Sequence, residues 1–199
     1  MRRIADLRSP ADHPDRGAVL IEAAIIMPLL LLVVFGILEY GLLFRTNLTL
    51  SESTRAGARV AVAQPRTPGY EMAAADAVSG SLASAGIPDN AIEELIIYKA
   101  NPNTGNHVSG GAPESCTVTC YRFRWDGATQ RFVVKSDSPD WPALSQSACG
   151  AESQTDYLGV FVRARHDFVS GFFADSQTLR ERTVMRLEPL PLTDTCRPT

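Results

Sequence analysis

The sequence predicts an α+β protein. One long N-terminal helix crosses a membrane and continues as a stalk; a small extracytoplasmic domain follows, with one short helix and an antiparallel sheet of four or five strands. Three observations carry this expectation. Ala18 to Phe44 is a 27-residue apolar run whose only charges are Glu22 and Glu39. All four cysteines, Cys116, Cys120, Cys149 and Cys196, fall after that run. Downstream of residue 90, apolar residues alternate with polar ones at the period of two that marks half-buried strands.

The chain opens with "MRRIADLRSPADHPDRG", residues 1–17, a short polar leader with several arginines. The apolar run then extends over 18–44. At ~1.5 Å per residue it spans about 40 Å, enough for a hydrocarbon core about 30 Å thick. It is longer than the apolar core of a cleaved secretory signal and has no clean small-residue cleavage site, so an anchor is expected. Glu39 and Tyr40 suit an interface, with the acid among headgroups and the ring in the aromatic belt. Arginines flank the run on both sides and leave orientation open. The cysteines decide it: disulfides form in oxidising compartments, so the C-terminal part lies outside the cytoplasm.

Residues 45–65 lack proline until Pro65 and are rich in helix formers, so the helix continues out of the membrane. Glu52 with Arg55 and Arg59 makes a charged face, and Ala56, Gly57, Ala58 and Ala61 a small-residue one. Solvated stalk and packing surface both fit. "QPRTPG", 64–69, ends the helix, and the domain proper is set at 66–199. "YEMAAADAVSGSLASAG", 70–86, reads as a second helix stopped by Gly86 with Pro88 beyond. Strands are expected at 92–100, 117–125, 130–135, 157–165 and 178–188. Asp126-Gly127 reads as a two-residue hairpin turn, and 136–156 as loop. Tyr121, Phe123 and Trp125 share one strand face, read as core before platform.

With a net charge of −3 and a pI near 5.6, nothing in the chain offers a basic stripe for phosphates, so no nucleic acid is expected as a partner. The cysteine spacing does not fit zinc, and no cofactor is expected. If Cys116 and Cys120 both lie on an extended strand they stand ~13 Å apart, too far to bridge; Cys116–Cys149 with Cys120–Cys196 is the pairing expected. His166-Asp167 with Cys120 is the one conceivable nucleophilic set, without a nucleophile-elbow motif around it, and His107 lies in a loop that reads as flexible. No enzymatic activity is expected.

Glu22 is the residue an ordinary anchor does not need, because a carboxylate inside the hydrocarbon costs up to ~3 kcal/mol at the centre of a span. Four residues separate it from Gly17. "G-AVLI-E" at the junction of a basic leader and a long apolar helix resembles the type IV prepilin processing site. "RGAVLIEAAIIMPLLLLVVFGILEYGLLFRTNLTLSESTRAGARVAVA" is similar to the N-terminal signature of TadE-like proteins, pseudopilins of tight-adherence (Flp) pilus systems, through Gly17, Glu22, Pro28, Gly36 and the closing "STRAGARVAVA". The major pilins of these systems carry Tyr after the processing acid where this chain has Ala23, which points to a minor pilin-like subunit. The resemblance implies a membrane peptidase that cuts between Gly17 and Ala18. It also implies assembly with other pilins or pseudopilins through Glu22 and Pro28. The alternatives are a signal-anchored extracytoplasmic binding or adhesion domain that keeps its leader, and an anchored hydrolase with a cleft joining His166 to a nucleophile.

Overall fold

The computed structural model describes residues 15–136, 139–150, 155–171 and 174–191. Two compact units divide the chain, Met1–Tyr40 and Gly41–Thr199. The helix α1, Asp15–Val62, runs through the boundary with Pro28 inside it. Proline has no N–H to give the carbonyl one turn back, so Ala24 lacks its helical donor while the helix continues.

In the first unit α1 presents an apolar surface along most of its described length. All large apolar side chains from Val19 to Leu38 are exposed, Leu20 at 70 % and Ile25 at 71 %. Glu22 is exposed as well, whereas Glu39 is buried.

The second unit is the α+β body. A second helix, α2, spans Tyr70–Ser84. Gly69 precedes it with φ 87° and Gly86 follows it with φ 69°, conformations that a Cβ would penalise. The sheet holds β1 (Ile92–Ala100), β2 (Cys120–Asp126), β3 (Arg131–Val134), β4 (Tyr157–Asp167) and β5 (Ser176–Arg186). Its order is β3-β2-β1-β4-β5, with every neighbouring pair antiparallel.

One face of the sheet packs under the two helices. Leu95 and Ile97 of β1, Phe123 of β2, and Leu158, Val160, Val162 and Ala164 of β4 meet Leu50, Ala58 and Ala61 of α1 and Ala74, Val78 and Leu82 of α2. The alternation expected in β4 is therefore the alternation observed. The Thr54 hydroxyl of α1 lies 2.9 Å from that of Thr183 on β5. Phe123 is fully buried and Tyr121 and Trp125 pack beside it, so the aromatic face of β2 is core. Tyr70 donates to the Trp141 carbonyl at 2.9 Å and sets its ring edge-on to that indole. Residues 50–62 of the expected stalk are a packing surface in this unit.

The opposite face has a smaller cluster, Ile96, Tyr98, Ala100 and Phe161, with both Cys116 and Cys120. Here the cysteine expectation is overturned: Cys116 is bonded to Cys120, with Cα atoms 6.5 Å apart. The extended stretch assumed for 117–125 does not exist at its start. Cys116 follows a single 3-10 turn at Pro113–Ser115, Thr119 turns the chain with φ 49°, and β2 begins only at Cys120. Neither Cys116–Cys149 nor Cys120–Cys196 can then form. Cys149 is disulfide-bonded, and Cys196 lies outside the described residues.

Two further expectations change. Asp126 pairs with Arg131, so the hairpin loop is Gly127 to Gln130 rather than a two-residue turn. The Asp126 carboxylate organises it by accepting from the Ala128 N–H and the Thr129 hydroxyl. His107, expected in a flexible loop, is 1 % exposed. Its Nδ1 accepts from the Ser109 N–H at 3.2 Å, which leaves Nε2 to donate to the Val118 carbonyl at 2.8 Å. The histidine thereby pins the disulfide loop to β1.

Candidate functional site

The residues singled out at the processing and assembly site all lie on α1. Ala18 and Glu22 are four apart, on one helical face with a rise of ~6 Å between them. The neighbours of Glu22 one turn on are Ile25 and Ile26, and Leu29 follows two turns on; none carries a charge. Among the described residues, nothing beyond the backbone of its own helix turn and its chain neighbours lies within 4 Å of where a Cβ on Gly17 would stand. Pro28 comes six residues after Glu22, on exposed helix surface.

The C-terminal end of this segment is built differently. Ser53, Thr54, Gly57 and Ala58 are buried, while Glu52, Arg55 and Arg59 remain exposed. Glu181 of β5 points toward the same helix. Burial holds its carboxyl above the ordinary carboxylate range, partly offset by the charge of Arg55. A single α-helix thus changes along its length from an all-round apolar surface to a one-sided packing surface.

His166 and Cys120 are not brought together. Cys120 sits opposite Tyr98, and Tyr98 opposite Gly159. His166 lies seven residues further along β4, about 23 Å of strand away. Cys120 is also consumed in its disulfide. The expected hydrolase cleft is not built from these residues.

One feature was missed in the linear sequence. Cross-strand pairing places Arg122 and Arg124 of β2, Arg163 and Arg165 of β4, and Arg180, Arg182 and Arg186 of β5 on one face of the sheet, away from the helices. The sequence reading saw no basic stripe because these arginines are scattered over three strands. Acids answer part of the charge. Glu94, 3 % exposed, takes Arg122 at 2.6 Å and Lys135 at 3.4 Å, with Arg163 at 3.7 Å. Glu93 takes Arg163 at 2.6 Å and Glu114 takes Arg180 at 3.2 Å. Alternating arginines in 180–186 were visible from sequence; that β2 and β4 would present theirs beside them needed the register.

Among the described residues one helix is long and apolar enough to cross a membrane. With the α+β body that follows it, this makes the chain a candidate single-pass membrane protein. The chain matches the family model of TadE-like proteins over residues 17–59. That segment takes in Gly17, Glu22, Pro28 and Gly57, so the resemblance read from the sequence holds there. No curated protein and no solved structure matches the chain.

Proposed function

We propose that this protein is a minor pilin, or pseudopilin, that takes part in the assembly of a tight-adherence type IV pilus after a prepilin peptidase removes its leader. Residues 1–17 are the cytoplasmic leader, 18–44 the span, 45–65 the helical connection and 66–199 the extracytoplasmic part. The observation that carries this reading is the placement of Gly17 and Glu22. The glycine offers an uncluttered backbone, and five residues on the acid lies on an apolar surface with no charged neighbour along its own helix. Cleavage after Gly17 frees an α-amino group on Ala18, with an ordinary pKa near 8 and so largely protonated at neutral pH. A neighbouring subunit's Glu22 is the partner such an ammonium needs in a helix bundle, and the pair would reward correct register.

The experiment is the N-terminal mass of the mature protein, with and without the prepilin peptidase. A start at Ala18 that depends on the peptidase supports the reading; an intact leader in the native host removes it. The arginine-bearing sheet face favours a second reading, an unprocessed anchored domain that binds or adheres through that face. An intact leader together with ligand binding by the isolated membrane form would select it.

A further inference from the structure

β5 is an edge of the sheet, 11 residues long and paired on one side only, with β4. The bonds at its two ends fix which backbone groups face outward. The Phe168 N–H donates to the Asp175 carbonyl, and the Leu187 N–H to the Asp156 carbonyl. The register between them runs without a bulge, so the alternation of an antiparallel ladder carries through. Odd-numbered residues of β5 therefore bond to β4, while Thr178, Arg180, Arg182, Val184 and Arg186 turn their N–H and C=O groups away from it. The next outward N–H, that of Glu188, is taken by the Val62 carbonyl of α1 at 3.1 Å. At the opposite edge of the sheet, the Phe132 N–H of β3 is taken by the Ser79 hydroxyl of α2 at 3.0 Å. Among the described residues, no backbone group meets the outward N–H and C=O of Arg180, Arg182 or Val184.

The side chains of the same residues project on the face away from the helices, and Arg180 and Arg182 are exposed. Arg180 holds Glu114 at 3.2 Å, a pair that water screens because the arginine side chain is 61 % exposed. Arg182 donates to neutral oxygens, Asn106 Oδ1 at 2.5 Å and the Thr104 carbonyl at 3.3 Å, which leave its charge in place. On the helix side of this edge, Arg55 of α1 is exposed beside Glu181. A strand laid along the edge thus meets a cation at two alternate positions and then the half-buried Val184. A second copy does not fit it. Two β5 edges paired antiparallel set one arginine opposite another in every register centred between Arg180 and Val184, and like charges directly opposite destabilise a sheet.

We infer that the open edge of β5 takes an extended segment of a partner protein as an added antiparallel strand, one that reads apolar-x-acid-x-acid against Val184, Arg182 and Arg180. Main-chain hydrogen bonds to the edge supply the affinity, and side chains at alternate positions supply the choice of partner. Carboxylates opposite Arg182 and Arg180 turn the repulsion that excludes a second copy into attraction. The edge lies wholly within the second unit, so the inference depends neither on cleavage of the leader nor on the membrane span.

The probe is the fluorescein-labelled peptide Thr-Val-Thr-Glu-Thr-Glu-Thr, titrated with the full chain in detergent micelles and followed by anisotropy. One control peptide carries Lys in place of both Glu; another is N-methylated at the Val and both Glu, the residues whose N–H groups would face β5. The Glu peptide is expected to bind about tenfold more tightly than the Lys peptide, and the N-methylated peptide not to bind. Val184→Pro deletes one outward N–H, leaves the ladder to β4 intact and keeps both arginines, since an edge strand tolerates proline at such a position. It is expected to weaken binding about fivefold, the worth of one hydrogen bond. Arg180→Gln combined with Arg182→Gln is expected to erase the preference for Glu over Lys, with thermal melting as the check on the fold. No binding of the Glu peptide would overturn the inference and leave the arginines as a guard against edge pairing. Equal binding of the Glu and Lys peptides would overturn the acidic partner. Undiminished binding of the N-methylated peptide would overturn strand addition in favour of an acidic polymer held by charge alone.

Discussion

Gly57 of α1 lies so close to Val78 of α2 that a Cβ on the glycine would collide with Val78 Cγ2 and stand 3.2 Å from the Ala74 carbonyl oxygen. The missing side chain is what lets the two helices cross at backbone distance over the sheet. Gly57→Val is therefore expected to destabilise the second unit by about 1–3 kcal/mol through overpacking. Gly80, on the open side of α2, has nothing within 4 Å of its Cβ position. Gly80→Ala is expected to stabilise by about 0.5–1 kcal/mol, because only the helical entropy term remains. Urea unfolding of the full chain in detergent compares the two; a harmless Gly57→Val would refute the close crossing.

Glu94 is a buried acid that serves three cations. Replacing it with Gln keeps the volume but removes the charge that Arg122, Lys135 and Arg163 share. A loss of about 1.5–3 kcal/mol is expected, in the range of hydrogen bonds to charged groups. The three cations keep partial access to water, so the loss should stay below that of a fully sequestered pair. Denaturant midpoints for Glu94→Gln against wild type measure it.

Cys116–Cys120 closes a loop of only a few residues, for which chain entropy gives about 2 kcal/mol. A non-reducing peptide map should join Cys116 to Cys120. Cys149, itself disulfide-bonded, sits beside Leu190 in a parallel bridge. Cys116→Ala with Cys120→Ala is expected to lower stability by roughly that 2 kcal/mol while the Cys149 linkage persists. A map that joins Cys116 to Cys149 would contradict the fold of the 101–119 loop.

The long helix, the second helix and all five strands were legible in the sequence, because each is a run with a clear period or an apolar span. What escaped was local geometry that no period encodes. Thr119 enters the left-handed region and delays β2, which converts two cysteines thought to be a strand apart into bonded partners. Gln130, with φ 51°, and the Asp126 carboxylate do the same for the hairpin loop. The N-terminal site was legible because its signal is linear, a glycine, an acid and an apolar run. The arginine face joins residues tens of positions apart, and only strand pairing reveals it.

Two carboxylates shift in opposite directions and give opposite pH signatures. Hydrogen bonds from Thr129 and Ala128 hold Asp126 below its ordinary value of 3.8. Its contribution is complete above that value and is lost as pH falls through the lower folded pKa. Glu181 is raised above 4.5 by burial. For that residue the folded state takes up the proton first, so its charged form opposes folding above the folded pKa and the opposition vanishes below 4.5. Asp126→Asn should flatten the acid limb of a stability profile taken between about pH 2 and 5. Glu181→Gln should raise the melting temperature at neutral pH and leave it nearly unchanged at pH 3. The reverse order of effects would contradict the environments of both groups.

Glu22 permits the sharpest test of the proposed assembly, because the two accounts of it predict opposite signs. If it is only an edge charge tolerated by the bilayer, Glu22→Gln lowers the desolvation cost and makes a better anchor. If it meets the freed Ala18 ammonium of a neighbouring subunit, Glu22→Gln leaves insertion and cleavage intact but strands that ammonium in a low-dielectric bundle, at about 3–5 kcal/mol. A contact within one chain is also geometrically open, since the two residues sit one turn apart. Such a contact, however, is present equally in the free and the assembled subunit, so its loss cancels and incorporation stays unchanged. Reduced co-purification of processed, membrane-inserted Glu22→Gln protein with the pilus or its partner pseudopilins therefore reports a pair between subunits. A clear loss of incorporation is expected, and wild-type incorporation would return Glu22 to the role of a tolerated charge.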